Sequence, residues 1–307
     1  MALTARLALL MTVPPLLWAG NAVVGRMMAG QVPPLTLNLL RWVLAALLLL
    51  PLGWRALRPF SRIWRRWPYL LLIGFLGVGS YNALQYLALV TSTPLNITLV
   101  ASSMPVWMLA IGALFYGEPI STRQWVGAAL GLAGVALVLS HGQIDTLLEV
   151  RLVAGDVYIL LATIGFSFYS WLLARPPAHM RGDRRPRADE GWDWAGILLV
   201  QALFGLVAAG GFSAGEQLLG APPIHWSLGV FAALAYVSLG ASVVAYRCWG
   251  LGVAEGGPAL AAIFNNLTPL FAALLSASLL GELPHLYHVI AFGLIVASIA
   301  VSMRRRA

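Results

Sequence analysis

Several uncharged polar side chains lie in the middle of long apolar stretches, and they are the residues of this chain that could contact a solute. The densest group is Tyr81, Asn82, Gln85 and Tyr86. On a helix, residues three and four positions apart share a face, so Gln85 can meet both Tyr81 and Asn82. A polar group buried in an apolar medium costs free energy unless it has a partner. We therefore expect this group to form the wall of a polar cavity rather than a packing surface.

Other apolar stretches carry further amides, hydroxyls and aromatic rings. Trp18 and Asn21 are three positions apart and would either contact a substrate or form a hydrogen bond between helices. Phe166 and Tyr169 would either line a cavity or pack in a core. The full set of candidate substrate-binding residues is Trp18, Asn21, Tyr81, Asn82, Gln85, Ser103, Trp107, Phe166, Tyr169, Asn265, Asn266 and Thr268.

The side chains that catalyse reactions or bind metals do not cluster in the middle of these stretches. Cys248 is the only cysteine, so no internal disulfide can form. Neither H-E-x-x-H nor G-x-S-x-G occurs in the sequence. Glu118 and Asp156 lie at the ends of apolar stretches, so no proton-coupling site is evident. We expect no catalytic residue, no metal site and no cofactor, and therefore not an enzyme.

The composition is that of a membrane protein. Hydrophobic residues make up 60% of the chain, charged residues 10%, and the mean hydropathy is +0.83. Soluble domains carry about 25% charged residues. The apolar runs have about 20 residues, the length that a helix needs to cross a bilayer. We predict an all-α integral membrane protein with ten transmembrane helices, at 7–28, 35–53, 67–90, 95–116, 122–140, 152–174, 193–212, 226–250, 258–280 and 285–303.

The distribution of arginine predicts the orientation of these segments. All 19 basic residues are arginine. If the N-terminus is cytoplasmic and every segment spans, 15 arginines lie inside, and only Arg26 and Arg151 lie outside. Such a bias is typical of cytoplasmic loops. Topology therefore explains the net charge of +8, with a lipid bilayer rather than nucleic acid as the partner, and we expect both termini in the cytoplasm.

One stretch of the chain occurs twice, at 87–118 and at 251–282. A constant offset of 164 residues (251 − 87 = 164) aligns the two copies without a gap. The offset pairs Pro94 with Pro258, Pro105 with Pro269, and Gly117-Glu118 with Gly281-Glu282.

The repeat has a consequence for topology. Segments 3, 4 and 5 match segments 8, 9 and 10, so the repeat unit has five helices. Because five is odd, the two copies must lie in the membrane with opposite orientation, which is the pattern of alternating-access carriers. We assign 1–141 to the first repeat, 152–303 to the second and 175–192 to an Arg-rich cytoplasmic loop.

Two of the matched prolines fall in the middle of a segment. Proline removes a backbone donor and frees the carbonyl one turn earlier, although membrane helices also tolerate proline without any such role. Because Pro105 and Pro269 occupy matched positions, we expect them to act as paired hinges. Asn265 and Asn266 precede Pro269 and could bind a carboxylate or an ammonium group, with one of the two expected to be structural.

Four sequence marks extend this pattern: LLWAGN at 16–21, LLRWVLAALLLL at 39–50, the two P-x12-E segments that end at Glu118 and Glu282, and Gly155-Asp156. With these marks the chain resembles the drug/metabolite transporter superfamily, and within it the EamA-type exporters. The resemblance covers nearly the whole chain. It implies a multi-pass protein of the bacterial inner membrane that exports solutes through a central cavity lined by helices 1, 3, 4, 6, 8 and 9. Among such exporters the chain is most similar to those of aromatic amino acids.

We therefore expect an exporter of amino acids, most of all those with aromatic or large apolar side chains. The alternative on the same scaffold is an exporter of another small metabolite, including a nucleotide- or sugar-type solute. A phosphate-bearing cargo would favour paired basic residues in the cavity, whereas Arg41 and Arg247 lie at opposite depths. Either arginine could clamp a carboxylate, but we expect both to extend toward the nearest membrane interface.

Overall fold

The computed structural model describes residues 4–92, 94–143, 145, 153–280 and 286–302. Within these ranges the chain forms helices and turns and no β-strand. Nine of the described helices are long and apolar enough to cross a membrane, and Leu286–Ser302 is a shorter apolar helix. The predicted all-α membrane architecture is confirmed. Gly281-Glu282, Arg151 and the arginines that follow residue 303 lie outside the described residues.

The ten helices follow one another along the chain. They are α1 (Ala5–Met27), α2 (Pro34–Gly53), α3 (Trp67–Thr91), α4 (Pro94–Ala101 and Met104–Tyr116), α5 (Thr122–Leu139), α6 (Ala154–Ala174), α7 (Trp194–Leu218), α8 (Leu228–Gly256), α9 (Pro258–Asn265 and Leu267–Leu280) and α10 (Leu286–Ser302).

The helices pack with the pseudo-symmetry of two inverted repeats. Helix α1 packs against α8 and α9, and its counterpart α6 packs against α3 and α4. Helix α2 pairs with its own counterpart α7, and α5 pairs with α10. If helices 1–5 correspond to helices 6–10, the contacts of α1 with α8 and α9 map onto those of α6 with α3 and α4. The α2–α7 and α5–α10 contacts map onto themselves. The predicted architecture of two inverted five-helix repeats is thereby confirmed.

Irregular turns occur at matched positions in the two repeats. Helix α3 contains a π-helical turn at Phe75–Ser80, and α8 contains one at Leu239–Val244, 164 residues later. Helix α4 is interrupted between Ala101 and Met104, and α9 is interrupted at Asn266. Both kinds of irregularity bend a helix and leave backbone carbonyls available to other partners. The repeat therefore extends from sequence to backbone geometry.

Glycines allow α5 and α10 to approach closely. A Cβ atom at Gly134 would lie 2.9 Å from Cγ1 of Ile295 and 3.0 Å from the carbonyl oxygen of Ala291. Gly127 meets α10 in the same way, with the carbonyl oxygen of Ser298 2.9 Å from its added Cβ. Because lipid tails are as apolar as leucine, helices in membranes associate largely through such close packing of small residues. These glycines therefore set the spacing of the α5–α10 pair.

One end of the bundle gathers the arginine-rich linkers, and we call it the basic end. The α2–α3 linker meets the α6–α7 linker there, with Arg62 Nη2 2.9 Å from Glu190 Oε1. Arg6, at the start of α1, pairs with Glu255 near the end of α8 at 2.8 Å. The opposite end, where α1 and α3 terminate, is the distal end. An ion pair therefore holds the loop at 175–192 against the α2–α3 linker.

Candidate functional site

A cavity of about 690 Å³ lies between the two repeats and opens at the distal end. Arg26 and His141 are exposed at its mouth, and Trp18, Tyr81 and Tyr246 lie at its inner end. The wall is formed by α1, α3, α4, α8, α9, α10 and the end of α5. Its polar and aromatic lining residues are Trp18, Asn21, Arg26, Tyr81, Asn82, Gln85, Tyr86, Thr98, Ser102, His141, Tyr246, Asn265, Thr268, Tyr287 and His288.

Aromatic rings form the floor of this cavity. The ring centroid of Trp18 lies 5.6 Å from that of Phe166 and 5.2 Å from that of Trp249. Tyr81 lies 4.8 Å from Phe166. Phe166 and Trp249 are each 1% exposed, so the rings beneath the floor are closely packed. Such ring pairs contribute about 0.5–1.5 kcal/mol each beyond the area that they bury. The cluster separates the cavity from the basic end.

Arg41, from α2, lies directly behind the cavity wall and is 0% exposed. Its Nη1 donates to Oδ1 of Asn21 at 3.0 Å and to Oδ1 of Asn82 at 2.9 Å. Its Nε donates to Oγ of Ser242 at 2.5 Å, and its Nη2 donates to the carbonyl oxygen of Ala241 at 2.8 Å. The guanidinium group therefore links α2 with α1, α3 and α8.

This placement overturns one expectation from the sequence. Arg41 was expected to extend to the membrane interface, and that expectation is wrong. The physical reason is that three other helices supply acceptors for the guanidinium group at this depth, so it does not need to reach water. Arg247 behaves as expected, since its guanidinium lies 4.1 Å from the ring centroid of Trp194 at the start of α7, near the basic end.

The two asparagines that contact Arg41 also line the cavity. Asn21 Oδ1 accepts a second hydrogen bond, from the hydroxyl of Tyr86 at 3.0 Å. Asn82 is 3% exposed, and its Nδ2 has no hydrogen-bond partner in the described part of the chain. Arg41 therefore occupies both amide oxygens, and the side chain of Asn82 also lies beside the hydroxyl of Tyr246.

Most of the residues predicted from the sequence do line the cavity. Of the candidates, Trp18, Asn21, Tyr81, Asn82, Gln85, Asn265 and Thr268 lie on its wall, together with the predicted hinge residue Pro269. The fold brings them together from α1, α3 and α9. Their contact with a substrate stays a prediction.

The candidates on α4 are placed differently. Ser103 Oγ donates to the carbonyl oxygen of Val100 at 2.5 Å and accepts from Nε1 of Trp107 at 3.0 Å. Ser103 and Trp107 are thus hydrogen-bonded to each other, and the neighbouring Ser102 lines the cavity. Ser103 and Trp107 therefore do not line the cavity in this conformation, and their contact with a substrate stays a prediction. Pro105 lies beyond the same break and is buried.

The candidates on α6 lie beneath the cavity rather than on its wall. Phe166 and Tyr169 are each 1% exposed and pack among the rings under the floor. The hydroxyl of Tyr169 accepts a hydrogen bond from Nε2 of Gln201 on α7 at 3.0 Å. The family resemblance implied a cavity lined by helix 6, whereas its described lining in this conformation includes residues of α5 and α10 and none of α6. The reason is that α6 packs against α3 and α4, which places its aromatic face in the core.

Asn266 also lies off the wall. It is 1% exposed and faces α5, where a Cβ atom at Gly131 would lie 2.5 Å from its Nδ2. Neither of its side-chain polar atoms has a partner within the described residues. Of the two adjacent asparagines, Asn265 therefore faces the cavity and Asn266 faces the α5–α10 pair.

Sequence reasoning missed several lining residues. Arg26, His141 and His288 lie at helix ends, where charged and imidazole side chains are ordinary and give no signal of a site. The repeat offset of 164 residues pairs Tyr246 with Asn82, which is a candidate substrate-binding residue. This pairing is a sequence signal from which Tyr246 could have been predicted.

A second hollow, of about 610 Å³, lies at the basic end. Leu89 lines the distal cavity, and the matched Val253 lines the hollow. The converse holds for Leu109, which lines the hollow, and the matched Ala273, which lines the distal cavity. Equivalent positions thus exchange ends between the repeats, as inverted symmetry requires.

The hollow is separated from the distal cavity by packed side chains. Tyr116 and Trp171 stack with ring centroids 4.8 Å apart, and Trp171 Nε1 donates to the carbonyl oxygen of Met108 at 2.8 Å. Arg175 forms an ion pair with Glu118 at its edge. The distal cavity and the hollow at the basic end share no lining residue among those described, so the two do not connect in this conformation.

Comparison with known proteins agrees with this architecture. The uncharacterized transporter YyaM of Bacillus subtilis is 23% identical over 206 residues, which cover 67% of this chain and 63% of that protein. The uncharacterized inner membrane transporter YedA of Escherichia coli K12 is 28% identical over 293 residues, which cover 93% of this chain and 87% of that protein. A solved crystal structure shares the fold with a TM-score of 0.75 at 22% identity, covering 96% of each chain.

The sequence profile of one family matches both halves of the chain. The profile of the EamA-like transporter family matches residues 6–140 and again residues 153–304. Each match contains five of the ten helices described above. The two matches account for nearly the whole chain, which therefore belongs to the EamA-like transporter family.

Proposed function

We propose that this membrane transporter exports amino acids, above all those with aromatic or large apolar side chains, by alternating access. The observation that carries the proposal is the composition of the distal cavity. Its floor consists of Trp18, Tyr81 and Tyr246, and one side of its wall consists of the amides of Asn21 and Asn82. An aromatic floor suits an apolar side chain, and the amides suit the polar groups of an amino acid.

The size of the cavity agrees with a solute of this class. Its volume of about 690 Å³ falls within the range of about 300–1,000 Å³ that is typical of small-molecule sites. The cavity also lies between the two inverted repeats, which is where carriers of this kind bind their substrates.

The orientation of the protein in the membrane is inferred from the arginine distribution. Cytoplasmic loops are enriched in arginine, so we assign the basic end, with Arg62 and Arg6, to the cytoplasm. Both termini would then be cytoplasmic, and the distal cavity would face outward. Reporter fusions test this assignment: both termini should report cytoplasm, and one external terminus would overturn the ten-span topology.

Another small metabolite, such as a nucleotide- or sugar-type solute, is the second candidate cargo. The observation in its favour is the basic mouth of the cavity, where Arg26, His141 and His288 line the wall. Basic side chains at the mouth would suit the negative charge of a phosphate group. The floor of three aromatic rings favours the amino-acid assignment.

Uptake into proteoliposomes tests the proposal. The purified protein would be reconstituted and all twenty labelled amino acids compared, with and without a pH gradient. Saturable flux confined to phenylalanine, tyrosine, tryptophan and other large apolar amino acids is the expected result. No flux for any amino acid would overturn the assignment of cargo and favour the metabolite alternative.

A further inference from the structure

We infer that the distal cavity holds the carboxylate of its substrate against Asn21 and Asn82, and that Arg41 orients both amides and supplies positive charge from behind the wall. The inference deepens the proposed export function and rests on it for the position of the substrate. It assigns a chemical class, because it requires a carboxylate on the transported molecule.

The first argument is the charge of Arg41. The residue is fully buried, and each acceptor that contacts its guanidinium is neutral: amide oxygens, hydroxyls and one backbone carbonyl. No carboxylate of the described residues forms a salt bridge with it. A charge buried without a counter-ion is costly, and an anion that enters the neighbouring cavity lowers that cost. The buried charge of Arg41 therefore favours binding of a negatively charged group in the cavity.

The second argument is the orientation of the two amides. A guanidinium group only donates hydrogen bonds, so the amide atoms that face it must be the oxygens of Asn21 and Asn82. The amide nitrogens then point away from Arg41. Nδ2 of Asn82 is buried and has no partner within the described residues, although its residue lines the cavity. This nitrogen is closed off from the cavity in this conformation and lies beside the hydroxyl of Tyr246, so a carboxylate oxygen reaches it only if the amide or the Tyr246 ring shifts on binding.

The third argument is the sign of the remaining wall. The charged side chain of Arg26 also lines the cavity, whereas no aspartate or glutamate is found among its described lining residues. A cleft that carries charge of one sign attracts solutes of the opposite sign and repels others. The arrangement therefore disfavours cationic amines and favours molecules with a carboxylate.

Arg41 acts through its neighbours, since it does not itself line the cavity, and is a positioning residue. A purely structural role, as a tie between α2 and the helices that carry Asn21, Asn82 and Ser242, would also explain its hydrogen bonds. The two roles differ in one respect. A structural tie affects stability and the transport of every solute alike, whereas a carboxylate site also changes which solutes bind.

The experiment measures selectivity with three probes. Binding of phenylalanine, 3-phenylpropionate and phenethylamine to the purified protein would be followed by calorimetry, and the latter two would compete with labelled phenylalanine in proteoliposomes. Phenylpropionate keeps the carboxylate and lacks the amine, and phenethylamine has the opposite composition. We expect phenylpropionate to bind at least about 10-fold more tightly than phenethylamine. Equal binding of the two would overturn the inference.

Two variants identify the residues responsible. Asn82→Asp keeps an acceptor for Arg41, and the new carboxylate neutralises the charge of the guanidinium group in an internal ion pair. The fold should therefore persist, while the preference for phenylpropionate over phenethylamine is lost or reversed. Arg41→Gln should lower the preference at least about 10-fold as well. Arg247→Gln is the matched control, because Arg247 stacks on Trp194 near the basic end. This variant should keep the preference of the parent protein for phenylpropionate over phenethylamine. An unchanged preference in Asn82→Asp would contradict the inference.

The failure of the inference differs from the failure of the proposed function. If amino acids are transported but the amine and the carboxylate bind equally, the export function stands and the carboxylate site is wrong. If no amino acid is transported but phenylpropionate binds and Asn82→Asp abolishes its binding, the carboxylate site stands and the cargo is another organic acid.

Discussion

Gly77 and Ala241 lie 164 residues apart, and each offers the backbone carbonyl of a π-helical turn to a polar side chain of another helix. The carbonyl of Gly77 accepts from the hydroxyl of Tyr246, and that of Ala241 accepts from Nε1 of Trp18 at 3.1 Å and from Arg41. π-helical turns are frequent at functional sites. Here they fasten α3 to α8 and α8 to α1 and α2 at the floor of the distal cavity. The shape of the floor therefore depends on backbone irregularities that the repeat has kept in both halves.

The contact between Tyr246 and Gly77 gives the first prediction. Tyr246→Phe removes the hydroxyl and leaves a buried carbonyl without this partner, which should destabilise the protein by about 1–3 kcal/mol. Thermal unfolding in detergent would show a lower midpoint. Tyr158→Phe is the control, because Tyr158 is 38% exposed and should change the midpoint little. Equal midpoints for the two variants would contradict a role of the freed carbonyl in holding α3 to α8.

Close packing of α5 on α10 gives the second prediction. Gly134→Ala places a Cβ atom 2.9 Å from Ile295 and 3.0 Å from the backbone of Ala291, so the helices must separate. We expect a loss of about 1–3 kcal/mol, as in other overpacked sites. Gly293→Ala is the control on the same helix pair, because a Cβ at Gly293 meets nothing within 4 Å. Its unfolding midpoint should stay level or rise, since alanine favours helix over glycine.

The side chain of Gln85 gives the third prediction. It lies on the cavity wall one turn from Tyr81 and Asn82. Gln85→Leu keeps the size of the residue and removes its hydrogen-bonding groups, so flux should fall while the folded protein remains. Gln31→Leu, in the turn between α1 and α2, should leave flux unchanged. Flux measured per folded molecule checks both variants, and an unaltered rate for Gln85→Leu would remove this residue from the site.

The break in α9 gives the fourth prediction. Pro269 lies in the first turn after the break and lines the cavity, so an exchange between open and closed states would bend the chain here. Pro269→Ala should slow exchange of solute across the membrane more than it weakens equilibrium binding. Pro51→Ala is the control, because Pro51 lies inside α2, is exposed and stands away from the cavity. Weakened binding without slower exchange would overturn the role of a hinge.

The ion pair between Arg175 and Glu118 gives the fifth prediction. The two side chains are 47% and 40% exposed, so the pair stabilises the fold by less than about 1 kcal/mol. That amount still changes the ratio of two conformations by up to about fivefold. Glu118→Gln should therefore favour opening at the basic end without a measurable loss of fold.

Accessibility at the basic end measures this shift. A cysteine placed at Leu260, which lines the hollow, would react with a membrane-impermeant maleimide in a Cys248→Ser background. Glu118→Gln should raise the reaction rate several-fold. Arg187→Gln is the control, because its pair with Asp189 is 72% and 70% exposed and does not border the hollow. Unchanged reactivity in Glu118→Gln would show that the pair does not hold this end closed.

The symmetry of the molecule could be predicted from the sequence. Matched prolines such as Pro105 and Pro269 depend only on residue identity and spacing, and both lie beside breaks in their helices. The number of helices and the inverted repeats follow from hydropathy and from the odd number of helices in the repeat. These features are local or periodic, so they do not require knowledge of which helices touch.

The face that each helix presents to its neighbours was decided by the tertiary structure. The helices are apolar nearly all round, so the sequence does not indicate which side meets the cavity, the core or the lipid. Phe166 and Asn266 looked equivalent to Trp18 and Asn265, and packing turned the first two away from the cavity.

Arg41 shows the same limit most clearly. In the sequence it is one arginine in a leucine-rich helix, for which an extension to the interface is the least costly conformation. Only the assembled bundle brings Asn21, Asn82 and Ser242 around it, at separations along the chain of up to 201 residues. Composition and spacing therefore determined that the chain is an inverted-repeat membrane protein. Long-range packing decided which polar groups meet the cavity, because a buried charge is stable only where other helices supply its hydrogen bonds.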